Sequence, residues 1–552
     1  MTVTGIHDLR EALGYWARNT PDKIAFGFMP RGEDVTESLT FSELHAQAVG
    51  LASVIAQRIG PREPALLIYP TGLPFIVTIF ACFLAGVIAV PAPQPQTDRA
   101  RERTANIRAA AGAQVILTTE AIAQDKALRE RLGSDCDWIT TDLAVPTADF
   151  PAREWRPEDT ALIQFTSGST AIPRGVTISF GNLMANHAMI AQIFGADPSE
   201  PSVTWLPVFH DMGLIGTILY PLQAGRSTYI MPTFAFLQKP VRWVRAISRF
   251  RATGSGAPSF AYDLCARMVS DKDREGLDLS SWTTAFCGAE PVRVAALRRF
   301  ADAFAGAGFC EDAFLPCYGL AEATLFVSGG PPRSGLRTVA FNGKRVVSCG
   351  KVLSPQIVRI IGPEGDVLPD GEQGEICVSG PHVSEGYWRD EVATAATFHA
   401  RLADGTDGEF LKTGDLGFLQ SGELFVTGRT KDIFIIRGVK HHGNDLDDTI
   451  SSVSSDLVHG AGAVFVEEAE TDGGDRIVAV HEVSRRSFAN FDPDALARSV
   501  REAVTRVHGF TLDQVFFVRE GRLPRTTSGK IQRHLCRAFA RSDAAADEQT
   551  YP

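Results

Sequence analysis

The chain has 552 residues, of which 44% are hydrophobic and 22% charged, a composition typical of globular proteins rather than disordered ones. This length exceeds what one hydrophobic core usually organises, so two or more domains are expected. The formal net charge of −11 argues against a general nucleic-acid binder. Nine scattered cysteines form no CxxC pair, which favours buried free thiols in a reducing compartment and therefore a cytoplasmic protein.

The N-terminal segment carries charged residues before any apolar run, so we expect no signal peptide. Residues 73–90 contain no charge and are long enough for a membrane span, which is one reading of this stretch. However, Pro74 and Gly86 interrupt it, Pro91 follows it, and residues 65–69 form another apolar run before it. That pattern favours a buried strand–helix–strand unit, so we predict no stable membrane insertion.

Helical patterns and short apolar runs alternate through the first part of the chain. The patterns predict helices at residues 6–19, 40–58, 99–111 and 240–250, and strands at residues 114–117 and 227–230. Alternation of this kind predicts α/β structure with doubly wound layers.

After about residue 345 the pattern changes to strands separated by Gly-rich turns, at residues 356–361, 374–378 and 422–426. A smaller α+β unit follows, with strands at residues 463–467, 476–483 and 514–518 and a helix at residues 493–507. We therefore predict a large N-terminal domain over residues 1–430, which includes a small β-rich subdomain, and a small mobile C-terminal domain over residues 431–552.

A hydroxyl-rich loop follows the apolar run at residues 161–165, and Arg174 and Gly175 come after it. Small residues let backbone amides approach an anion, and hydroxyl and guanidinium groups add donors and positive charge. Pro173 stands where the common phosphate-binding loop would start its helix, so that motif is absent. A Ser/Gly-rich surface loop is the alternative reading. The predicted polyphosphate-binding residues are Thr166, Ser167, Gly168, Ser169 and Thr170.

Three further groups of residues fit a nucleotide site. A tyrosine and a carboxylate, Tyr318 and Glu322, flank a tight turn, and they suit purine stacking and Mg²⁺ binding. Asp415 could accept the hydroxyls of a ribose. Lys530 lies in a Gly/Ser-rich segment near the C-terminus. A core tyrosine, an acidic turn and a solvated lysine are the structural alternatives, but the occurrence of all three groups in this order favours nucleotide chemistry.

With these motifs in this order, the sequence resembles the adenylate-forming superfamily of acyl- and aryl-CoA ligases, peptide-synthetase adenylation domains and luciferases. The stretches at residues 205–216, 257–265, 318–324 and 414–418 resemble its fatty-acyl-AMP ligase branch. The resemblance implies activation of a carboxylic acid, in that branch a fatty acid, with ATP to give acyl-AMP and pyrophosphate. It also implies transfer of the acyl group to the phosphopantetheine arm of an acyl carrier protein.

The resemblance further implies roles for individual residues. Lys530 would bridge the α-phosphate and the attacking carboxylate, and His210 would lie between the phosphates and the acyl pocket. Glu322 would ligate Mg²⁺, and the C-terminal domain would rotate about a hinge at Lys431. Outside the hydroxyl-rich loop, the nucleotide would be held by Ala289, Glu290, Tyr318, Gly319, Asp415 and Arg429.

The sequence departs from the family pattern at several positions. Arg174 stands where the family usually has lysine, and Phe180 where a histidine often follows, so neither is assigned a catalytic role. In the branch, a long insertion thought to hinder CoA use precedes a Ser-Cys-Gly sequence. Here the corresponding residues 329–347 are few and predict only a small hairpin around Asn342 and Gly343. An acyl-CoA ligase and a non-catalytic nucleotide-binding regulator are the alternative functions.

Overall fold

The structure is a computed structural model that describes residues 6, 8–142, 150, 156–166, 173–403, 405–406, 408–430, 433–436, 439–467, 476–525, 531–540 and 550–551. The chain divides into two compact units. One comprises Met1–Thr413 and Gly417–Val426, and the other Gly414–Leu416 and Thr427–Pro552. The boundary predicted between residues 430 and 431 stays a prediction, because residues 431 and 432 lie outside the described ranges.

The N-terminal part of the first unit contains a six-stranded sheet built mainly from parallel strands and crossover helices, together with the first two strands of a larger sheet. Its elements are α1 (Leu9–Asn19), β1 (Ile24–Phe28), β2 (Glu37–Thr40), α2 (Phe41–Ile55), β3 (Pro64–Tyr69), α3 (Leu73–Ala85), β4 (Ile88–Pro93), α4 (Asp98–Ala111), β5 (Val115–Thr118), α5 (Glu120–Ala123), α6 (Lys126–Leu132), β6 (Asp137–Thr140), β7 (Thr160–Thr166), β8 (Arg174–Ser179) and α7 (Phe180–Phe194). The six-stranded sheet has the order β6-β5-β3-β4-β7-β8, and only the β7–β8 pair is antiparallel.

Strand β3 shows why this sheet is apolar on both faces. Ala65 and Leu67 belong to the hydrophobic cluster that contains α3, whereas Leu66 and Ile68 belong to the cluster that contains residues of α4. Alternate side chains of a strand point to opposite faces, so helices cover both sides of the sheet. This confirms the doubly wound α/β layers and the strand–helix–strand reading of residues 73–90. In the part of the chain that the structure describes, no helix is long and apolar enough to cross a bilayer.

The rest of the first unit contains most of a second, larger sheet, although residues 414–416 and 427–429 of that sheet belong to the second unit. Its elements are β9 (Ser202–Thr204), a π-helix (Met212–Leu219), α8 (Tyr220–Gln223), β10 (Thr228–Ile230), α9 (Thr233–Gln238), α10 (Val241–Phe250), β11 (Gly254–Gly256), α11 (Ser259–Met268), α12 (Asp271–Arg274), β12 (Thr284–Cys287), α13 (Val294–Phe304), β13 (Phe314–Gly319), β14 (Phe326–Gly329), β15 (Thr338–Phe341), β16 (Lys344–Val352), β17 (Ile357–Ile361), β18 (Gly374–Ser379), α14 (Glu391–Phe398), β19 (Leu411–Gln420) and β20 (Glu423–Arg429).

The larger sheet has two kinds of strand pairing. Strands β1, β10, β9, β11, β12 and β13 are parallel neighbours, with β2 antiparallel at the β1 edge. Beyond β13 the order continues through β14, β16, β20, β19, β18 and β17, and this second part is the β-rich region predicted after about residue 345. Strands β15 and β16 form the predicted hairpin, with Asn342 and Gly343 at positive φ in its turn.

The second unit contains β21 (Ile433–Ile436), β22 (Val439–His442), α15 (Gly443–Ser451), β23 (Leu457–Glu467), β24 (Arg476–Val483), α16 (Pro493–His508), β25 (Gln514–Arg519), α17 (Arg533–Ala540) and β26 (Thr550–Tyr551). Strands β23, β24, β25 and β26 form one sheet, and helices α15 and α16 supply Leu446, Ile450, Val500 and Val504 to its core. The predicted α+β character is therefore confirmed. Strand β23 begins at Leu457, earlier than the predicted residue 463.

All nine cysteines are free thiols, as the scattered spacing predicted; six are buried, whereas Cys136 and Cys317 are partly exposed and Cys310 is exposed. Burial raises the pKa of the Cys349 thiol to about 12, so this group stays protonated at neutral pH. Thiols in such surroundings behave as small hydrophobic side chains.

Helix α2 offers a stability test because its start is closed by a reciprocal capping box. The Thr40 hydroxyl accepts the Glu43 N–H at 3.2 Å, and the Glu43 carboxylate accepts the Thr40 N–H at 2.8 Å. Thr40→Ala removes one acceptor and should lower the free energy of unfolding by about 1 kcal/mol. Urea denaturation followed by circular dichroism measures the change. Thr40→Ser keeps the oxygen and should retain most of the stability; equal losses in both variants would contradict the capping role.

Candidate functional site

Predicted site residues of the first unit lie where neighbouring parallel strands end. His210 follows β9, Ala289 and Glu290 follow β12, and Tyr318 and Gly319 complete β13. These strands run in the same direction, in the order β9-β11-β12-β13. Ligands of open α/β sheets bind outside the carboxyl ends of the strands. The sheet therefore brings these five residues to the edge where a ligand site is expected.

The turn after β12 is held in an uncommon backbone conformation. Ala289 has φ +67°, in the left-handed region that residues with a Cβ atom seldom adopt. The Glu290 carboxylate accepts the backbone N–H of Phe260 at 3.0 Å, in the first turn of α11. The side chain of Glu290 thus secures the turn. Contact between this turn and a ligand would come mainly from the backbone beside Ala289.

The turn after β13 is closed by a short backbone approach. A Cβ atom at Gly319 would lie 1.7 Å from the carbonyl oxygen of Leu325, so only glycine fits there. Tyr318 is 9% exposed and belongs to a hydrophobic cluster with Ala323 and Val327. The tyrosine therefore has a structural role in the core, and the small exposed part of its side chain is what remains for a ligand.

Glu322 lies in a 3₁₀ turn that is held from several directions. The Asn186 side chain of α7 donates to the carbonyl of Phe326 at 2.8 Å and accepts the Phe326 N–H at 3.1 Å. The Ser384 N–H donates to the carbonyl of Glu322 at 3.0 Å, and the Tyr387 hydroxyl donates to the Glu322 carboxylate at 3.0 Å. Asn186 and Tyr387 are site residues that the sequence reasoning missed.

The hydroxyl-rich loop joins two antiparallel strands, because Thr166 of β7 pairs with Arg174 of β8. This agrees with the expectation that no helix starts at Pro173. Residues 167–170 lie outside the described residues, so of the predicted phosphate contacts only Thr166 is placed, half-buried at the end of β7. The Arg174 guanidinium lies 5.4 Å from the ring centre of Tyr387, and its Nε lies 3.8 Å from the Asp390 carboxylate.

His210 is tied to the six-stranded sheet through its neighbour. The Gln164 side chain of β7 donates to the carbonyl of Phe209 at 2.7 Å, so the strand that precedes the hydroxyl-rich loop also positions the His210 turn. Nδ1 of His210 contacts the carboxylate of Asp211, and the His210 side chain is 27% exposed. The imidazole is thus oriented by a carboxylate and still accessible. Gln164 is a further residue whose role the sequence reasoning missed.

The remaining predicted site residues belong to the second unit. Arg429 Nε donates to the Asp415 carboxylate at 2.9 Å; the Asp415 side chain is buried and that of Arg429 is 64% exposed. Lys530 lies outside the described residues. On either side of that segment, Arg525 and Ile531 form an antiparallel β-bridge, and the Arg525 guanidinium contacts the buried Glu482 carboxylate at 2.6 Å.

Known protein families and relatives match most of the chain. The model of the AMP-binding enzyme family matches residues 13–388. The chain belongs to this family. A second model, the AMP domain of Disco-interacting protein 2-like proteins, matches residues 431–547, so the two matches cover most of this AMP-binding enzyme. The resemblance inferred from the motifs is confirmed.

Relatives of this AMP-binding enzyme align along nearly their whole length. The medium-chain-fatty-acid–[acyl-carrier-protein] ligase JamA of Moorena producens is 37% identical over 96% of this chain and 94% of its own. FadD21 of Mycobacterium tuberculosis, whose name provisionally assigns a fatty-acid–CoA ligase, is 35% identical over 96% of each chain. The solved fatty acyl-adenylate ligase from L. pneumophila, in complex with acyl adenylate and pyrophosphate, is 32% identical, has a TM-score of 0.75, and covers 97% of this chain and 96% of its own.

Two buried histidines, His187 of α7 and His382, give the enzyme a predictable acid sensitivity. Burial lowers the pKa of His187 and of His382 to about 4. In the unfolded chain each histidine binds a proton near pH 6.5, whereas in the folded protein it does so only near pH 4. The free energy of unfolding should therefore fall as the pH drops from about 6.5 towards 4. Above about pH 6.5 these two groups should not affect it.

Each histidine should remove about 2.5 kcal/mol from the free energy of unfolding between pH 7.5 and pH 4.5, because each unit of pKa shift corresponds to about 1.4 kcal/mol. Urea denaturation of His382→Leu at both pH values should show a correspondingly smaller loss than the natural chain. Thr40→Ala has no part in this titration and should keep the full loss. An unchanged pH dependence in His382→Leu would contradict a neutral buried ring at position 382.

Proposed function

We propose that the protein activates a fatty acid with ATP to form acyl-AMP and pyrophosphate, and then transfers the acyl group to the phosphopantetheine thiol of an acyl carrier protein with release of AMP. The observation that carries the proposal is the arrangement at one sheet edge of an accessible histidine, a strained Gly-Ala-Glu turn and a Tyr-Gly turn. These features occur in a member of the AMP-binding enzyme family whose relative JamA is named for this reaction.

In the first step, a carboxylate oxygen attacks the α-phosphorus and pyrophosphate leaves. Negative groups must be brought together, so positioning and electrostatic stabilisation supply most of the acceleration. We assign the central charge to Lys530, beside the α-phosphate and the attacking carboxylate. His210 would lie next to the reacting groups, its ring oriented by Asp211. The departing pyrophosphate would be held by Thr166, Ser167, Gly168, Ser169 and Thr170.

The nucleotide would be held by two groups of residues. Ala289, Glu290, Tyr318 and Gly319 would frame the adenine, with Glu290 acting through the backbone that its side chain secures. Asp415 would accept the ribose hydroxyls, and Arg429 would orient that carboxylate through the hydrogen bond described above. Contacts of this kind exist before and during reaction, so they contribute to affinity more than to turnover.

Glu322 fits the requirements of Mg²⁺. Mg²⁺ prefers oxygen ligands and is commonly held by one or two carboxylates together with water and substrate phosphates. Within the described residues, no group of three or more His, Cys, Asp or Glu side chains could hold a metal. Mg²⁺ would neutralise charge on the phosphates, and Glu322 would hold it.

The acyl acceptor distinguishes the two candidate functions. JamA is named for transfer to an acyl carrier protein, whereas the name of FadD21 specifies CoA. The sequence shows no basic cluster suited to the 3′-phosphate of CoA, which favours the carrier protein. The remaining expectations are a cytoplasmic location, a small-molecule carboxylic acid as substrate, no nucleic-acid partner and no stable membrane insertion.

Lys530→Ala should lower the rate of pyrophosphate release by a factor of about 10² or more, because a charge contact made in the transition state is lost. A coupled pyrophosphate assay with a fatty acid and ATP measures the rate. The matched control is Lys351→Ala, which removes an exposed lysine of β16 and should leave the rate unchanged. Near-normal release by Lys530→Ala would remove Lys530 from the mechanism.

The acceptor is tested by supplying ATP, a panel of fatty acids, and either CoA or a phosphopantetheinylated carrier protein, with mass spectrometry of the products. We expect acyl-AMP to accumulate without an acceptor, efficient acylation of the carrier, and little acyl-CoA. Rapid stoichiometric formation of acyl-CoA would instead make the protein a CoA ligase. Absence of acyl-AMP and of pyrophosphate with every acid would contradict the proposed activation and favour a non-catalytic nucleotide-binding protein.

A further inference from the structure

Tyr387 links the two parts of the site that carry charge. Its hydroxyl donates to Oε1 of Glu322 at 3.0 Å, and its ring lies beneath the Arg174 guanidinium, with 5.4 Å between the guanidinium carbon and the ring centre. One side chain thus contacts both an anionic and a cationic residue of the site.

The ring of Tyr387 is itself fixed. Its backbone N–H donates to the Thr394 hydroxyl at 2.9 Å, at the start of a turn that leads into α14. The ring meets Phe398 edge-on at a centroid distance of 5.1 Å. Because the backbone and the ring are both held, the hydroxyl has few alternative positions, and its hydrogen bond constrains Glu322 rather than following it.

The segment around Tyr387 also pairs with the strand that leaves the hydroxyl-rich loop. The Trp388 N–H donates to the carbonyl of Gly175 at 2.7 Å, and the Thr177 N–H donates to the carbonyl of Gly386 at 3.0 Å. The Tyr387 segment is therefore joined to the start of β8 by backbone hydrogen bonds and to the Glu322 carboxylate by the Tyr387 hydroxyl.

We propose that Tyr387 is a positioning residue, whose hydroxyl orients the Glu322 carboxylate for a divalent cation and whose ring seats Arg174 at the start of β8. This inference rests on the proposed function. Carboxylates that bind metals are usually oriented by a second hydrogen-bonding group, whose loss weakens metal binding by about 10- to 100-fold. A planar guanidinium stacks on an aromatic face better than an ammonium does, which gives a physical reason for arginine at position 174.

The test separates the hydroxyl from the ring. Tyr387→Phe removes the hydroxyl alone and should raise the Mg²⁺ concentration for half-maximal ATP binding about tenfold, with ATP affinity at saturating Mg²⁺ unchanged. Tyr387→Leu also removes the ring and should in addition weaken ATP binding at saturating Mg²⁺. Titration calorimetry with ATP and MgCl₂ in the absence of any carboxylic acid measures both quantities without turnover. Tyr229→Phe, a change at a tyrosine stacked on Phe250 elsewhere in the fold, is the matched control and should change neither.

A double-mutant cycle shows whether the hydroxyl acts through the carboxylate. Glu322→Gln alone should raise the Mg²⁺ requirement, and adding Tyr387→Phe to Glu322→Gln should raise it no further. Additive effects would show that Tyr387 acts independently of Glu322 and would overturn the proposal. So would an unchanged Mg²⁺ requirement in Tyr387→Phe or in Glu322→Gln. If Tyr387→Leu fails to fold, as judged by its thermal transition, Tyr387→Phe and the cycle still decide the role of the hydroxyl. These binding measurements are independent of pyrophosphate release, so failure of the proposed fatty-acid activation would be recognised separately.

Discussion

The backbone pairing of β12 with β13 sets the geometry on which the first-unit site depends. Cys287 lies opposite Pro316 in this parallel pair, so Ala289 and Tyr318 are each two residues beyond the same rung of the ladder. A planar ring can bind between two chain segments that leave the sheet at the same level. The parallel register brings the two segments to the same level through backbone hydrogen bonds alone. The positive φ of Ala289 and the close approach at Gly319 then turn both segments away from the sheet within a few residues. These turns are energetically unfavourable, and the many hydrogen bonds of the adjoining sheet offset that cost.

Much of the architecture could be predicted because it depends on local patterns. The strand–helix–strand unit at residues 64–93 follows from apolar runs punctuated by Pro and Gly, and the β15–β16 hairpin follows from Asn-Gly between two apolar stretches. The hydrogen bonds that hold Glu322 could not be predicted in this way. Asn186 reaches Phe326 across 140 residues of sequence, and Tyr387 reaches Glu322 across 65. Neither residue lies in a pattern that distinguishes it from an ordinary helix or turn residue, so only the folded chain identifies it.

Glu290 and Tyr318 show how a motif can serve folding and ligand binding together. Sequence reasoning assigned both to the nucleotide site, but the Glu290 carboxylate accepts an N–H in the first turn of α11 and most of Tyr318 lies in a hydrophobic cluster. Substituting either residue would therefore disturb the turn as well as any ligand contact. A loss of nucleotide affinity at these positions cannot be assigned to a direct contact until the stability of the variant is known.

Through Asn186, the length of the first part of helix α7 sets the position of the chain next to the Glu322 turn. The helix starts at a capping box formed by Ser179 and Asn182, and Asn186 follows the cap by a set number of residues. Each residue advances a helix by about 1.5 Å and rotates it by about 100°, so adding or deleting one residue between cap and amide would carry Asn186 away from Phe326. The helix cannot shift along its axis to compensate, because the capping box fixes its N-terminal end. Length changes in this first stretch of α7 are therefore incompatible with the present Glu322 turn.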